Sequence, residues 1–508
     1  MTSPTSRGNA QRGWLLAAVC LAALGMPLSF TGPAVALPAL REAFGGTPVQ
    51  LNWVTNAFML SFGATLMAAG ALADAYGRKR LFLLGLALIM AGSLFAACAP
   101  GIVMFDLARA VQGVGAAAAF AAGTAALAQV FEGPARTGAF SLIGTSFGVG
   151  LCSGAILAGW LGGWLGWQAV VLSPGAISLA AFAIALFAMK ESRNPQAAGL
   201  DAAGTLSFIG MLSLLTLGVL QGPASGWSDR WVLGALIGAA LLGIVFIVIQ
   251  KRAVHPMLDL SLLRYPRFVG VQLLAAAPAY SFVVLLVLLP IRFVGLEGLD
   301  PLAAGRWMMA LSGPILVVPS LAAGLARRFS VGSISASGLL LSALGLHWLG
   351  SAQAGVAPGQ LIGPLLLIGF GIGLPWGLMD GLAVSVVPRE RAGMASGIFN
   401  TVRVAGEGIA LALVAAALTA LVARQLAGLP GASMPELAQA AQHLATGNLQ
   451  QASALLPQAG RASLLQAYGE AFGILMRVLS GVTVLTAAVV FVFLRGGSRP
   501  EASVAAAC

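Results

Sequence analysis

Charge is what this sequence has least of. Only 8% of its 508 residues are charged, against about 25% in an average soluble domain. A globule so poor in charge cannot solvate its own surface, which excludes an ordinary soluble fold. Histidine is scarcer still: His255, His347 and His443 are scattered along the chain. No His-Glu-x-x-His pattern or other catalytic set is present, so an enzyme has nothing to stand on. No hydrophilic signalling domain is attached either, which leaves a membrane sensor as a remote alternative. The four cysteines, Cys20, Cys98, Cys152 and Cys508, lack metal-ligand spacing, and three sit in apolar runs. They read as small packing residues, and no metal or cofactor is expected.

What the chain has in abundance is long apolar text. Leu81–Phe105 and Ala202–Ser228 carry no charged side chain, and each exceeds the ~20 residues that cross a hydrocarbon core as helix. The opening apolar run, after Arg7 and Arg12, continues to Leu40. That is far past a signal-peptide core of about 7–15 residues, so it reads as a retained first span. Glycines, prolines and charges divide the rest into fourteen helices in all. They fall at about 14–38, 51–73, 81–99, 103–130, 137–160, 167–189, 204–221, 230–250, 268–290, 302–325, 331–350, 359–386, 394–423 and 470–494. The fold class is an all-α polytopic membrane protein.

The net charge of +11 does not mark a nucleic-acid surface, because the bases fall in short loops. Eighteen of the 27 Lys and Arg residues lie on the side that holds both termini, and six, Arg292 among them, lie on the other. That bias predicts both termini in the cytoplasm. Arginine far outnumbers lysine and alanine is abundant, as in a GC-rich bacterial genome.

Two glycine-led basic hairpins hint at duplication. Gly70-Ala71-Leu72-Ala73-Asp74 follows the second span, and Gly324-Leu325-Ala326-Arg327-Arg328-Phe329 follows the tenth. Counting six helices, then two, then six puts them at equivalent places. The expected organisation is a tail at 1–13, a six-helix bundle at 14–189 and two inserted helices with linkers at 190–267. A second six-helix bundle follows at 268–494, then a tail at 495–508. Within the second bundle, a long extracytoplasmic loop at about 424–469, rich in Ala and Gln, has room for a short amphipathic helix.

Four motifs carry a resemblance. The first hairpin reads Gly70-x-Leu72-x-Asp74-x-x-Gly77-Arg78-Lys79, and the fourth span holds Arg109-x-x-Gln112-Gly113-x-Gly115. The second span opens with Trp53-Val54-Thr55-Asn56-Ala57-Phe58. The thirteenth is approached through Val387-Pro388-Arg389-Glu390-Arg391-Ala392-Gly393 and continues to Arg403. In this order and on these helices, the chain resembles the major facilitator superfamily, in particular its fourteen-span drug:proton antiporters. The resemblance implies two bundles rocking about a shared cleft in a bacterial inner membrane, exporting an amphipathic small molecule against protons. An uncoupled facilitator or importer is the second reading. Substrate, protons and membrane lipid are the implied partners, with no nucleic acid. A monomer is expected, and a periplasmic adaptor is left open.

The resemblance also assigns roles. Gly70, Asp74, Gly77, Arg78 and Lys79 would form the gating loop, with Asp74 docking against a helix N-terminus of the opposite half, where unpaired N–H groups favour an anion. Gly150, Gly154 and Gly159 stand in the fifth-span antiporter pattern. Its proline is here Ala155 and one of its glycines Ala158, which puts the expected kink in question. The first span departs more sharply: Ser29 stands where the proton-carrying aspartate of the group is expected, and serine does not titrate in the working range.

Acids inside a membrane are costly and functional by default. Glu407 lies about halfway along its span. Desolvation favours its neutral form, and Arg403, one turn away, favours the carboxylate. The site reads either as a proton carrier or as a fixed i, i+4 ion pair. Asp106, one turn from Arg109, reads either as a proton entry point or as a fixed pair with that cation. Asp380, in the broken twelfth span, reads either as a substrate or proton site or as a loop-end acid that snorkels; the two complete the proton-coupling candidates. Prolines and glycines break the first span (Gly25, Pro27, Gly32, Pro33) and the twelfth (Gly371, Gly373, Pro375, Gly377). Irregular backbone at membrane depth belongs beside a cavity or inside protein. Ser29, Phe30, Asn56 and Trp376 are therefore the candidate cavity residues, with simple helix packing the alternative for each aromatic.

Overall fold

The structure is a computed structural model. It describes residues 4–494 apart from 132, 194–200, 254–255, 257, 259–261, 263, 327, 353–357, 387–391 and 429–432. Every regular element among the described residues is helical, as a chain must be where no water can satisfy its backbone. The first six helices are α1 (Pro4–Phe44), α2 (Pro48–Tyr76), α3 (Arg78–Ala97), α4 (Ile102–Val130), α5 (Gly133–Leu165) and α6 (Trp167–Ala188). The inserted pair is α7 (Ala202–Ser225) and α8 (Arg230–Arg252).

The ninth span, Pro266–Leu296, joins α9 (Pro266–Pro278) and α10 (Val284–Pro290) through a π-helical turn, Ala279–Val283, and ends in another, Ile291–Leu296. The tenth, Pro301–Leu325, joins α11 (Pro301–Ser312) and α12 (Val318–Leu325). Then follow α13 (Val331–Ser351), α14 (Ile362–Ser385), α15 (Ala392–Leu426), the short α16 (Met434–Ala445) and α17 (Leu449–Leu455), and α18 (Arg461–Leu494).

Among the described residues thirteen helices are long and apolar enough to cross a membrane, and α5 makes fourteen when its two bent pieces count as one span. This agrees with the fourteen spans expected from the sequence. The largest boundary changes are at the two ends. The first helix, α1, runs from Pro4 to Phe44, ten residues before and six beyond the expected 14–38. The last, α18, begins at Arg461, nine residues before expected, so the loop closes at 460 rather than 469.

Two like halves are visible in which helices pack together. In the first half α3 packs on α4 and α6, α2 on α4, and α1 on α5 and α6. In the second, α13 packs on α14 and α18, α12 on α14, and α9 on α15 and α18. Small residues at matched places make the contacts close. A methyl built on Gly85 of α3 would lie 2.6 Å from the Gly115 carbonyl of α4. On Gly371 of α14 it would lie 2.6 Å from the Gly338 carbonyl of α13. The halves meet along two seams, α5 with α11 and α2 with α15, and α7 lies over the second seam against both α2 and α15.

Three acids outside the apolar cores cap helices. Asp201 accepts from the Gly204 N–H at 2.8 Å, Asp229 from Trp231 at 2.8 Å, and Asp300 from Leu302 at 3.0 Å. Each satisfies donors that a helix start leaves open.

The loop after α15 is folded. Ser433 and Glu436 form a capping box at α16, and Leu437, Ala440, Ala441 and Leu444 bury its apolar face. The short amphipathic helix expected here is present, with α17 added to it. His443 on α16 is half-buried, and burial and then the Arg41 charge hold its pKa below the ordinary 6.5. The unfolded cap thus binds more protons than the folded one. The cap is expected to be fully stable above about pH 6.5 and to lose stability as pH falls through that value toward the folded pKa. Hydrogen-exchange protection of the α16 amides at about pH 7.5 and 5.5 checks this, and His443→Gln should flatten the difference.

Candidate functional site

The buried polar network of the first half is built on a proline. Pro33 lies inside α1 and has no N–H, so the carbonyl four residues back, that of Ser29, loses its helical donor. Arg109 of α4 supplies one instead: its guanidinium donates to the Ser29 carbonyl. Its Nε donates to the Val54 carbonyl of α2 at 3.0 Å, and its Nη1 to Gln112 Oε1. Gln112 in turn donates to Ser93 Oγ of α3 at 2.8 Å. The guanidinium also lies 4.8 Å from the centre of the Phe58 ring. Arg109 is 1% exposed and ties four helices together.

Asp106 takes no part in this network. The fixed Asp106–Arg109 pair is not formed, because Arg109 turns toward α1 and α2. One Asp106 carboxylate oxygen is buried without a hydrogen-bond partner among the described residues. The Ser29 hydroxyl is spent on its own helix, donating to the Gly25 carbonyl at 3.1 Å.

In the second half Glu407 and Arg403 are both buried on α15, at 5% and 8% exposure. Glu407 is the sixteenth of the helix's 35 residues, near its middle. Arg403 lies over the Phe399 ring at 5.7 Å, and no Arg403–Glu407 ion pair within 4.0 Å occurs among the described residues. Asp380 falls on α14, but its side chain lies outside the described part of the structure.

The hairpin is organised differently from the expectation. Asp74 pairs with Arg78 at 2.8 Å, one turn on, instead of docking on the opposite half. Arg78 also donates to Gln129 at the end of α4 at 2.6 Å. The anion at a helix N-terminus is Glu191, whose carboxylate accepts from the Lys79 and Arg80 N–H groups at 3.1 and 3.2 Å. Lys79 Nζ reaches the Leu186 carbonyl at 2.7 Å. Gly77 turns the chain with φ +119°, and a methyl there would lie 2.5 Å from Glu191 Oε1. The hairpin is thus tied to α4 and to the end of α6, within its own half. Gly70 has open space around it.

The α5 glycines serve two partners. Gly150 and Gly154 sit against Leu24, Pro27 and Thr31 of α1, beside its proline breaks. Gly159 meets the other half, where a methyl would lie 2.6 Å from the Pro301 carbonyl. The helix bends by 41° between Leu151 and Ser153 although Ala155 has replaced proline. Ser153 Oγ donates back to the Val149 carbonyl at 2.7 Å, the i−4 bond that bends helices.

The four cavity candidates are all buried. Trp376 lies between Phe147 of α5 and Phe282 of the ninth span, each ring 6.2 Å away, so it joins the two halves. Phe30 packs in the main core. Asn56 donates to the Asn52 carbonyl at 3.0 Å, and its side-chain oxygen has no described partner.

Sequence reasoning missed Glu191 and a buried ion pair, Arg292–Glu297, at 2.7 Å. Arg292 read as a loop cation, yet it is 1% exposed inside the last turn of the ninth span. Pro290 just before it disguised that turn as a helix end. The Arg109–Ser29 contact did have a signal, since a proline four residues after Ser29 announces an orphaned carbonyl.

Two like helical halves, each with charged side chains buried inside it, have the architecture of a membrane transporter. Residues 18–411 match the family model described as Major Facilitator Superfamily, and the chain belongs to that family. It is 30% identical over 397 residues to the multidrug resistance protein Stp of Mycobacterium tuberculosis, covering 77% of this chain and 73% of that one. It is 32% identical over 389 residues to the cephamycin export protein CmcT of Amycolatopsis lactamdurans, covering 75% and 79%. Its fold is similar to that of a bacterial homolog of the human lysosomal transporter Spinster, with TM-score 0.64 at 16% identity over 97% of this chain and 98% of that one. The peptide transporter POT gives 0.60 at 14% identity over 95% and 96%. The protein is a multi-pass plasma-membrane transporter of small molecules.

Proposed function

We propose that this protein exports amphipathic or apolar small molecules by proton antiport and alternating access, with both termini in the cytoplasm. Relatives named for multidrug resistance and cephamycin export support the substrate class. The threefold excess of bases on the terminal side supports the orientation. Glu407, buried at the middle of α15, carries the coupling proposal, with Asp106 receiving protons nearer the outer face. Neither is held by a described ion pair, so each is open to take and release a proton as access alternates. The halves rock about the α5–α11 and α2–α15 seams as one rigid six-helix bundle against another, and the chain works as a monomer.

The test uses purified protein in proteoliposomes loaded with a hydrophobic cation or a neutral antibiotic. An imposed pH gradient should drive substrate against its own gradient, and dissipating it with a protonophore should stop accumulation. Transport indifferent to that gradient would favour an uncoupled facilitator, the reading that Ser29 in place of a titratable acid supports.

A further inference from the structure

The Arg292–Glu297 pair is not used by the transport reading above, and its setting is unusual. It closes the final π-helical turn of the ninth span, where Glu297 N–H donates five residues back to the Arg292 carbonyl at 3.0 Å. Arg292 Nε donates to Glu297 Oε1 at 2.7 Å, and the two side chains are 2% and 13% exposed. Removing two charges from water is costly, so a pair this buried is weak evidence for stability. A π-turn inside a span often marks a functional place.

Three neighbours meet at this turn. The α1 helix of the opposite half packs against Ile291–Leu296 and against α10. On α18, Phe472 lies 5.1 Å beneath the Arg292 guanidinium and stacks on Tyr468. Tyr468 is 2% exposed, within electrostatic reach of both Arg292 and Glu297, and its hydroxyl has no described hydrogen-bond partner. Above the turn sits the link between α16 and α17. Gly447 adopts φ +78°, and a methyl on Gly295 would lie 2.7 Å from its carbonyl. Thr446 and Asn448 on either side are each 3% exposed.

We propose that the Arg292–Glu297 pair is a gating element that holds this turn in the form that closes the transporter on the face opposite the hairpin. With the pair intact, the turn presents one side to α1 and a flat Gly295 seat to Gly447. When it parts, the turn loses its shape, α1 loses its contact and the α16–α17 cap lifts. Tyr468 offers a buried hydroxyl as the alternative partner, giving the turn two discrete arrangements instead of a continuum. The inference rests on the alternating-access reading but not on protons or on the identity of the substrate.

The test reads access to the seat directly. In a background lacking the four native cysteines, Asn448→Cys is labelled with a membrane-impermeant maleimide from the cap side. Glu297→Gln, nearly isosteric, and Arg292→Met should each raise the labelling rate at least about tenfold. The charge swap Arg292→Glu with Glu297→Arg should bring it back toward the parent. Unchanged labelling in Glu297→Gln, or a charge swap that labels as fast as the single variants, would overturn the proposal. A lowered melting temperature without faster labelling would also overturn it, since it would make the pair a structural contact only. Labelling is measured again in Glu407→Gln, where the Glu297→Gln effect should persist. Failure of proton coupling is thereby separated from failure of the gate.

Discussion

Glu407→Gln should abolish proton-driven efflux while leaving substrate binding and substrate–substrate exchange intact. Glutamine keeps the shape of the protonated acid and its hydrogen-bonding capacity, but it has no proton to release. A carrier locked in that form still binds substrate and can return with a second substrate molecule. It cannot complete the step in which an empty site gives up its proton to the cytoplasm. Glu407 is 5% exposed near the middle of α15, where an idle acid would be a pure desolvation cost. Glu407→Asp retreats by one methylene and should keep slow, gradient-dependent transport. Proteoliposome efflux with and without a pH gradient, beside equilibrium binding and counterflow, separates these outcomes. Full efflux by Glu407→Gln would remove the residue from the coupling mechanism and direct attention to Asp106.

Arg109→Ala should be the most destabilising single change in the first half, by about 2–6 kcal/mol, because it leaves the buried Ser29 carbonyl and Gln112 Oε1 without a donor at about 1–3 kcal/mol each. Part of that has an identifiable source. The Ser29 carbonyl has no helical donor because Pro33 lacks an N–H, and a buried orphaned acceptor costs about 1–3 kcal/mol. Pro33→Ala restores the missing N–H, so the double variant should recover a portion of the loss. The interaction in this cycle should fall within about 0.5–3 kcal/mol. Arg109→Lys should fall between wild type and Arg109→Ala, because one ammonium cannot serve the Ser29, Val54 and Gln112 oxygens as the fork does. Thermal unfolding in detergent across the four variants measures the cycle. Strictly additive losses would show that Arg109 acts elsewhere.

Much of the fold was legible because membrane sequences are written under one dominant rule. Apolar stretches long enough to span, separated by glycine, proline and charge, place the helices to within about five residues except α1, which extends past both expected ends, and α18. There the amphipathic stretch from Arg461 to Glu470 continues the helix beyond the apolar core and hides its start. The duplication was legible from two hairpins, and the structure extends it to matched glycine contacts such as Gly85–Gly115 and Gly338–Gly371.

The polar site was only half legible. Which acids lie at membrane depth is a matter of position along the chain, and Asp106 and Glu407 could be found that way. Whether each is paired is a matter of where an arginine on another turn points. Arg109 left Asp106 for a carbonyl on another helix, and Asp74 closed on Arg78 while Glu191, more than a hundred residues away, took the helix N-terminus.

The chain by itself determined an all-helical fold of thirteen to fourteen helices long and apolar enough to cross a bilayer, because hydrocarbon forces each apolar run to satisfy its own backbone within a helix. Only the tertiary structure decided which buried acids sit in an ion pair among the described residues and which do not. Those bonds join residues from different helices, such as Arg109 with Ser29, or close an irregular turn, as Arg292 does with Glu297. Their geometry depends on how close the helices approach and where prolines free a carbonyl, neither of which hydropathy encodes.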